Sequence, residues 1–348
     1  MHLLKHAQEL KQRNMHSSRK FLSALSPFCA AVLLILCFCT KNSVAQTAAV
    51  NLQANVSTPF SFVAYGDTRF HDPNDREAAN PAVRVALVRA IADVNPAFIC
   101  FTGDIVYNGN DANDWKIWDS ETSVFREKHI PVYPVLGNHD LHGDPQTALG
   151  NYFQRFPDLK QSRYYSVRAA NALMLALDSS LDEVSGAQGQ WLAGQLDHVP
   201  ADVDFVFVMF HHPPYTSSSD AKKYGGGHSA RSSEQALAKT LEDKQARAHF
   251  RIVVFSGHVH NYERHEHGGV TYFVSGGGGA HAYPIERGAD DPFQSKEMNY
   301  HYLLVQVDHR EVKVTMNRLE LTDGKAVWTT PDQVEIGVSS PAGMKAAR

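Results

Sequence analysis

Gly257-His258-Val259-His260 follows Ile252 to Phe255, a short apolar run of the kind that makes a buried strand. On an extended backbone both imidazoles would point to the same side, and two adjacent metal ions could each take one. Four other apolar runs end in residues of similar chemistry. Phe60 to Tyr65 leads into Gly66-Asp67-Thr68-Arg69, and Ala97 to Thr102 into Gly103-Asp104-Ile105-Val106-Tyr107. Val132 to Leu136 leads into Gly137-Asn138-His139-Asp140, and Phe205 to Phe210 into His211-His212. Carboxylate, amide and imidazole donors without a thiolate suit Zn, Fe or Mn rather than a structural cysteine-zinc site. They are too many for one ion. Two ions about 3.5–4 Å apart, bridged by one carboxylate, would use them. Such a pair lowers the pKa of bound water, holds the hydroxide and clamps a phosphoryl oxygen, which points to in-line displacement at phosphorus.

The elements needed to bring these ends together are also legible. Asn80-Pro81 is a helix start, a capping Asn before Pro at the first helical position. Val83, Leu87, Val88, Ile91 and Val94 then fall on one face. Further helices are expected around Trp115 to Phe125, over 145–156, over 188–198 and over 233–247. Strands are expected at Tyr164 to Val167, Ala172 to Leu177 and Val270 to Val274, with antiparallel strands over Tyr302 to Val307, Val312 to Arg318 and Val327 to Thr330. Strand–helix–strand units followed by hairpins predict a layered α/β domain with mixed sheets flanked by helices, in which ligands bind at the carboxyl ends of strands. Residues 216–229 read as a mobile loop, and Gly276 to Gly279 as a tight strand connection.

The first 45 residues differ from the rest. They carry six Lys or Arg and one acidic residue, an apolar run from Phe28 to Cys39, and small residues at Ser43-Val44-Ala45. This reads as an export signal over 1–45, with an uncleaved anchor as the alternative. A linker over 46–59, one domain over 60–335 and an irregular tail over 336–348 complete the expected organisation. Cys100 is the one cysteine after residue 45, so no disulfide within the exported chain is expected. That chain would keep 27 basic and 36 acidic residues, which argues against a nucleic-acid surface. No second long apolar stretch suggests a membrane-embedded domain.

Gly-Asp-Thr-Arg, Gly-Asp-Ile-Val-Tyr, Gly-Asn-His-Asp, Val208-Met-Phe-His211 and Gly-His-Val-His stand in the order of the five motif blocks of calcineurin-like metallophosphoesterases. Tyr107, three residues after Asp104, resembles the purple acid phosphatase branch. The resemblance covers roughly residues 60–280. It implies that Asp67, Asp104, Tyr107 and His260 hold one ion and that Asn138, His211 and His258 hold the other, with Asp104 bridging. The first would then be Fe(III), purple through its phenolate bond, and the second Zn, Mn or Fe. His139 would stabilise the transition state or protonate the leaving group, oriented by Asp140. The first block ends in Arg69 where purple acid phosphatases usually have Gly, so Arg69 is expected to contact the substrate phosphate or to make a surface salt bridge. His228 is a substrate contact or a solvated loop histidine. His212 is expected to be structural and to point away, and Glu263-Arg264 to make structural ion pairs.

The expected activity is hydrolysis of small phosphomonoesters outside the cytoplasm, in the periplasm or beyond. Phosphodiester cleavage, on nucleotide or phospholipid diesters, is the alternative within the same chemistry. A protein that binds metal or phosphate without turnover is the alternative in a different class.

Overall fold

The computed structural model describes residues 49–181, 186–218, 228–295 and 297–338. The expected export signal, most of the loop at 216–229 and most of the C-terminal tail lie outside the described residues.

Two seven-stranded mixed sheets pack face to face. The first has the order β1-β5-β6-β7-β8-β10-β9, from Val50–Ala54, Tyr165–Ala169, Ala172–Ala176, Phe205–Met209, Arg251–Ser256, Val270–Ser275 and Tyr262–His267. The second has the order β13-β12-β11-β2-β3-β4, from Lys325–Thr329, Glu311–Thr322, Tyr300–Asp308, Phe60–Tyr65, Ile99–Phe101 and Val132–Pro134. A last strand, β14 (Gln333–Gly337), also pairs with β12. Strands β6, β7, β8 and β10 run parallel in one sheet, and β2, β3 and β4 in the other. Their carboxyl ends carry the chemistry.

The parallel strands are predominantly apolar and almost wholly buried because both faces are covered. Phe62 of β2 shows how the sheets join. Its ring stacks on Phe98 at 5.1 Å and meets Phe207 and Phe255 of the facing sheet edge-on at 5.0 and 6.0 Å. Burying such a side chain is worth about 1.5–3 kcal/mol. Cys100 of β3 is fully enclosed in this inter-sheet core. On its outer face the first sheet is covered by α5 (Ala187–Asp197) and α6 (Ser232–Gln245), which contribute Leu192, Leu196, Leu237 and Leu241.

Helix α1 (Pro81–Val94) starts as the sequence predicts, with the Asn80 side chain accepting from the backbone N–H of Ala82 and Val83 and with Pro81 in the first turn. Its buried face also contains an arginine. Arg84 donates two bonds to Glu121, at the end of α2 (Ala112–Glu121), and one each to the carbonyls of Arg69 and His71 at 3.2 and 3.1 Å. Its guanidinium lies 5.2 Å from the centre of the Phe70 ring. One buried cation thus ties down the segment that follows β2. Two short helices complete the second layer: α3 (Ser123–Glu127), and α4 (Pro145–Arg155) with Asp144 as its cap.

The structure adds to the sequence reading in three places. Residues 46–59, expected to be a linker, contain β1, which pairs in parallel with β5. Charged Tyr262–His267 forms the edge strand β9, antiparallel to β10. Strand β14 extends regular structure to Gly337, past the expected boundary at 335. All three are edge strands or carry alternating polar residues, so none presents the apolar run by which the inner strands are recognised. Among the described residues no helix is long and apolar enough to cross a membrane.

Candidate dinuclear metal centre

Backbone pairing continues past the strand ends. Asp67 N–H donates to the Gly103 carbonyl at 2.9 Å, Arg69 N–H to Asp104 at 3.0 Å and Gly257 N–H to His211 at 2.9 Å. The loops after β2, β3, β7 and β8 are therefore laced together before any side chain is considered. Asp67, Arg69, Asp104 and His258 all have left-handed backbones, with φ of 57°, 46°, 51° and 69°. Such conformations are uncommon outside glycine and gather where surrounding structure enforces them. Here they turn each chain sharply out of its strand. The two histidines of Gly-His-Val-His are thus not on an extended backbone, contrary to the sequence expectation. Gly103, at φ 94°, is where a side chain is forbidden outright, since a Cβ there would lie 2.6 Å from His211 Nδ1 and 2.8 Å from Gly137 N.

On one side of the site three donors converge. His211 Nε2 and His258 Nδ1 each lie 3.1 Å from Asn138 Oδ1 and 3.3 Å from each other. His211 Nδ1 is bonded to the Thr102 carbonyl at 2.8 Å, an acceptor, so it carries the proton and Nε2 presents a lone pair. Burial lowers the pKa of His211, which keeps it neutral. Nε2 and Oδ1 are then two acceptors face to face. A cation resolves that arrangement.

On the other side are Asp67, Asp104 and His260. His260 Nδ1 donates to the His281 carbonyl at 2.9 Å, which leaves a buried Nε2 with no hydrogen-bond partner, 3.7 Å from Asp67 Oδ1. Both oxygens of Asp67 accept from His258 N–H, at 3.0 and 2.9 Å. Asp104 Oδ1 accepts from His139 N–H at 2.8 Å and lies 3.4 Å from His211 Nε2, between the two groups. Donors of Asp67, Asp104 and His211 fall within 4.8 Å of one another. Burial, then the negative Asp104, push the Asp67 carboxyl well above the usual range. Burial also acts upward on Asp104, but His211, His139 and Arg69 outweigh it and hold that carboxyl below the usual range. The two carboxyls are pushed in opposite directions, and cations between them would relieve that conflict. Orphaned imidazole nitrogen, facing acceptors and clustered buried carboxyls together fit two metal ions.

The phenol of Tyr107 was expected to ligate the first ion. Its ring lies between those of His71, at 4.9 Å, and His139, at 5.3 Å. Its backbone carbonyl has a task the sequence did not suggest, accepting from His139 Nδ1 at 2.7 Å. This corrects the role expected of Asp140, whose carboxylate does not orient the His139 ring. Asp140 Oδ1 accepts from Ile105 and Val106 N–H at 2.9 and 3.2 Å, and Oδ2 from Gly137 N–H at 2.9 Å. Asp140 ties the loop after β3 to the loop after β4, and its lone pairs are committed to the backbone. His139 is left with Nε2 free at a site edge where burial lowers its pKa to about 4.

Arg69 pairs with a central carboxylate rather than at the surface, its Nη2 standing 3.4 Å from Asp104 Oδ2, while its buried Nε has no partner. The His228 ring lies 5.0 Å from that of His258 and 5.7 Å from that of His260, with Nδ1 buried and unpartnered. His212 does not point away as expected. Its ring lies 4.4 Å from His258 and 5.0 Å from His211, because β7 ends at Met209 and the strand alternation no longer applies beyond it. The Pro213-Pro214 that follows was the available signal, since prolines end a central strand. Glu263 and Arg264 make structural pairs, with His265 at 3.2 Å and Asp332 at 2.9 Å.

A family model described as calcineurin-like phosphoesterase matches residues 60–262. The chain belongs to the calcineurin-like phosphoesterases. Its relatives within that family include purple acid phosphatases. It is 25% identical to purple acid phosphatase 1 of Ipomoea batatas over 190 residues, 48% of this chain and 37% of that protein. It is 26% identical to phosphoenolpyruvate phosphatase of Allium cepa over 203 residues, 54% of this chain and 40% of that one. The chain thus spans well under half the length of these plant relatives. A probable cyclic nucleotide phosphodiesterase of Psychrobacter arcticus is 24% identical over 184 residues, covering 50% of this chain and 61% of that protein. In fold, the chain resembles the purple acid phosphatase PPD1 from yellow lupin seeds, with a TM-score of 0.58 at 16% identity over 81% of this chain and 54% of that one. GAP50, the anchor in the inner membrane complex of Plasmodium, gives the same TM-score and identity over 82% of this chain and 90% of its own.

Proposed function

We propose that this chain is an exported phosphomonoesterase with a two-metal centre. The observation that carries the reading is the convergence of Asp67, Asp104, Asn138, His211, His258 and His260 with lone pairs facing one another and none spent on a protein partner at His260 Nε2. Asp67, Asp104, Tyr107 and His260 would hold one ion, and Asn138, His211 and His258 the other, with Asp104 between. Two ions supply a nucleophile at moderate pH and offset the charge on phosphoryl oxygens.

The remaining work falls to the chain's own groups. Arg69 and His228 reach the substrate phosphate, because each holds a buried nitrogen without a partner at the edge of the centre. Arg69 moves from the Asp104 oxygen to a phosphate oxygen, exchanging one anion for another. His139, held through Nδ1 by the Tyr107 carbonyl, presents Nε2 to the leaving oxygen; as the imidazolium, the form a bound phosphate dianion favours, it delivers the Nε2 proton there. The likeness to a phosphoenolpyruvate phosphatase and to purple acid phosphatases favours monoesters. The probable cyclic nucleotide phosphodiesterase among the relatives supports diester cleavage as the second reading. The chain is inferred to act in the periplasm or outside the cell, on the basic, apolar and small-residue pattern of its first 45 residues.

Metal analysis and a visible spectrum of the purified protein, with hydrolysis of a chromogenic monoester and diester, test this. The expected result is two metals per chain, one of them iron, faster monoester turnover, and a visible band that vanishes in Tyr107→Phe. Two metals without a band would move the centre to a Zn or Mn type with Tyr107 unligated. Absence of stoichiometric metal and of turnover after reconstitution would overturn the reading.

A further inference from the structure

We propose that His212 is an additional imidazole ligand of the ion on the Asn138 side, held for that task by Ser179 at the end of β6. The inference rests on the two-metal reading and goes beyond its ligand set.

Nitrogens of His211, His212 and His258 lie within 4.8 Å of one another, and all three residues are buried. The His212 ring faces two proposed ligands, its centre 5.0 Å from that of His211 and 4.4 Å from that of His258. Ser179 fixes which nitrogen faces the site. Its Oγ accepts the His212 backbone N–H at 3.1 Å and lies 2.9 Å from His212 Nδ1. With one lone pair taken by the backbone N–H, the hydroxyl has its other lone pair for an Nδ1–H, and in that tautomer, the one a metal ion selects, Nε2 is a lone pair. His211 and His260 likewise have Nδ1 tied to the protein, in their case to carbonyls, and Nε2 turned toward Asn138 and Asp67. Metal-bound histidines are commonly oriented in this way through their second nitrogen.

The hydroxyl is itself fixed. The Ser179 carbonyl accepts from Arg231 Nη2, and Arg231 pairs with Glu234 in the first turn of α6. On either side, Asp178 takes Arg163 at 2.5 Å and Ser180 N–H at 2.8 Å. The Asp178-Ser179-Ser180 turn thus becomes a sixth strand end serving the centre. A site of three imidazoles and one amide oxygen, sharing the Asp104 carboxylate with its neighbour, is rich in neutral nitrogen. Such a set suits Zn better than Mn, which prefers carboxylate and water.

The test is metal binding by full-length protein stripped of metal, titrated with Zn(II) against a chromogenic chelator and with Co(II) by visible absorption. Wild type, His212→Ala and Ser179→Ala are compared, together with the melting temperature of each metal-free form. Expected is two-ion uptake by wild type, with the second Zn(II) of His212→Ala weakened at least about tenfold and a changed Co(II) spectrum, while the first ion is retained. Ser179→Ala keeps every ligand and is expected to weaken the same ion by about tenfold. If His212→Ala does not fold, Ser179→Ala decides. Wild-type Zn(II) affinity and an unaltered Co(II) spectrum in the folded variants would overturn the proposal, whether or not the metal-free forms melt lower. Uptake of fewer than two ions by wild type would overturn the two-metal reading itself, and this inference with it.

Discussion

At the scale of single residues, the site is a study in which nitrogen of each imidazole is spoken for. His139, His211 and His260 surrender Nδ1 to carbonyls of Tyr107, Thr102 and His281, and each turns Nε2 inward. For His139 this leaves an Nε2 that can carry a proton to the leaving group once phosphate binding favours the imidazolium, and that is not needed for metal binding. His139→Ala is expected to retain two metals and lose about 10²–10⁴-fold in kcat. The loss should be greater for an alkyl phosphate, whose leaving oxygen needs the proton, than for a nitrophenyl phosphate, whose leaving oxygen does not. Equal losses on both substrates would assign His139 to charge stabilisation alone. That these six amide, carboxylate and imidazole side chains come together was legible from the sequence because each stands within a few residues of the end of an apolar run. His212 was not, because a side chain's direction after a strand has ended depends on the turn and not on alternation. Asp140 was misread for a related reason: sequence adjacency to His139 says nothing of which backbone N–H groups the loops bring within reach of its carboxylate.

At the scale of elements, the least expected device is the tie between α1, α2 and the segment after β2. Arg84 has no exposed side-chain surface, and Glu121 keeps about a sixth of its own, at 16%. Removing one partner of such a pair leaves the other buried without compensation. Arg84→Met is expected to lose about 3–5 kcal/mol in urea unfolding, and the double variant Arg84→Met/Glu121→Gln to lose less than the single one. Because two of the Arg84 bonds go to the carbonyls of Arg69 and His71, KM should also rise while metal content holds. Inner strands and α1 could be read from apolar periodicity and from the Asn80-Pro81 cap. Arg84 could not, since an arginine on the buried face of a helix looks like an error in the pattern until its partners, 37 residues on at Glu121 and 15 back at Arg69, are in place.

At the scale of the whole molecule, the buried histidines couple stability to pH. His301, on β11, is fully buried, bonded to the Asn299 carbonyl and the Ser275 hydroxyl, and burial lowers its pKa to about 4. Between about 4 and the ordinary value of 6.5 the unfolded chain binds a proton there that the folded chain refuses. Stability therefore falls as pH drops through that window and is fully present above it. His301→Gln should flatten the acid side of the unfolding free energy by up to about 3 kcal/mol between pH 6.5 and 4. A variant whose pH dependence parallels that of wild type would show that His301 accepts its proton without unfolding. The layered architecture was predictable from the order of strands, helices and hairpins. The edge strands β1, β9 and β14 were not, because their stability comes from pairing with a neighbour rather than from burial of their own side chains.

From Thr47 to Arg348 the chain contains a single thiol, that of Cys100, sealed between the sheets on β3. Four residues further along the same strand and turn stands Asp104. A thiol reagent can reach Cys100 only when this part of the core opens, and burial pushes its pKa up, so it is unreactive while closed. The residue is thus a natural clock. The rate at which it is modified, with and without added metal, reads how far a ligand at the rim of the sheet slows the breathing of the interior beneath it.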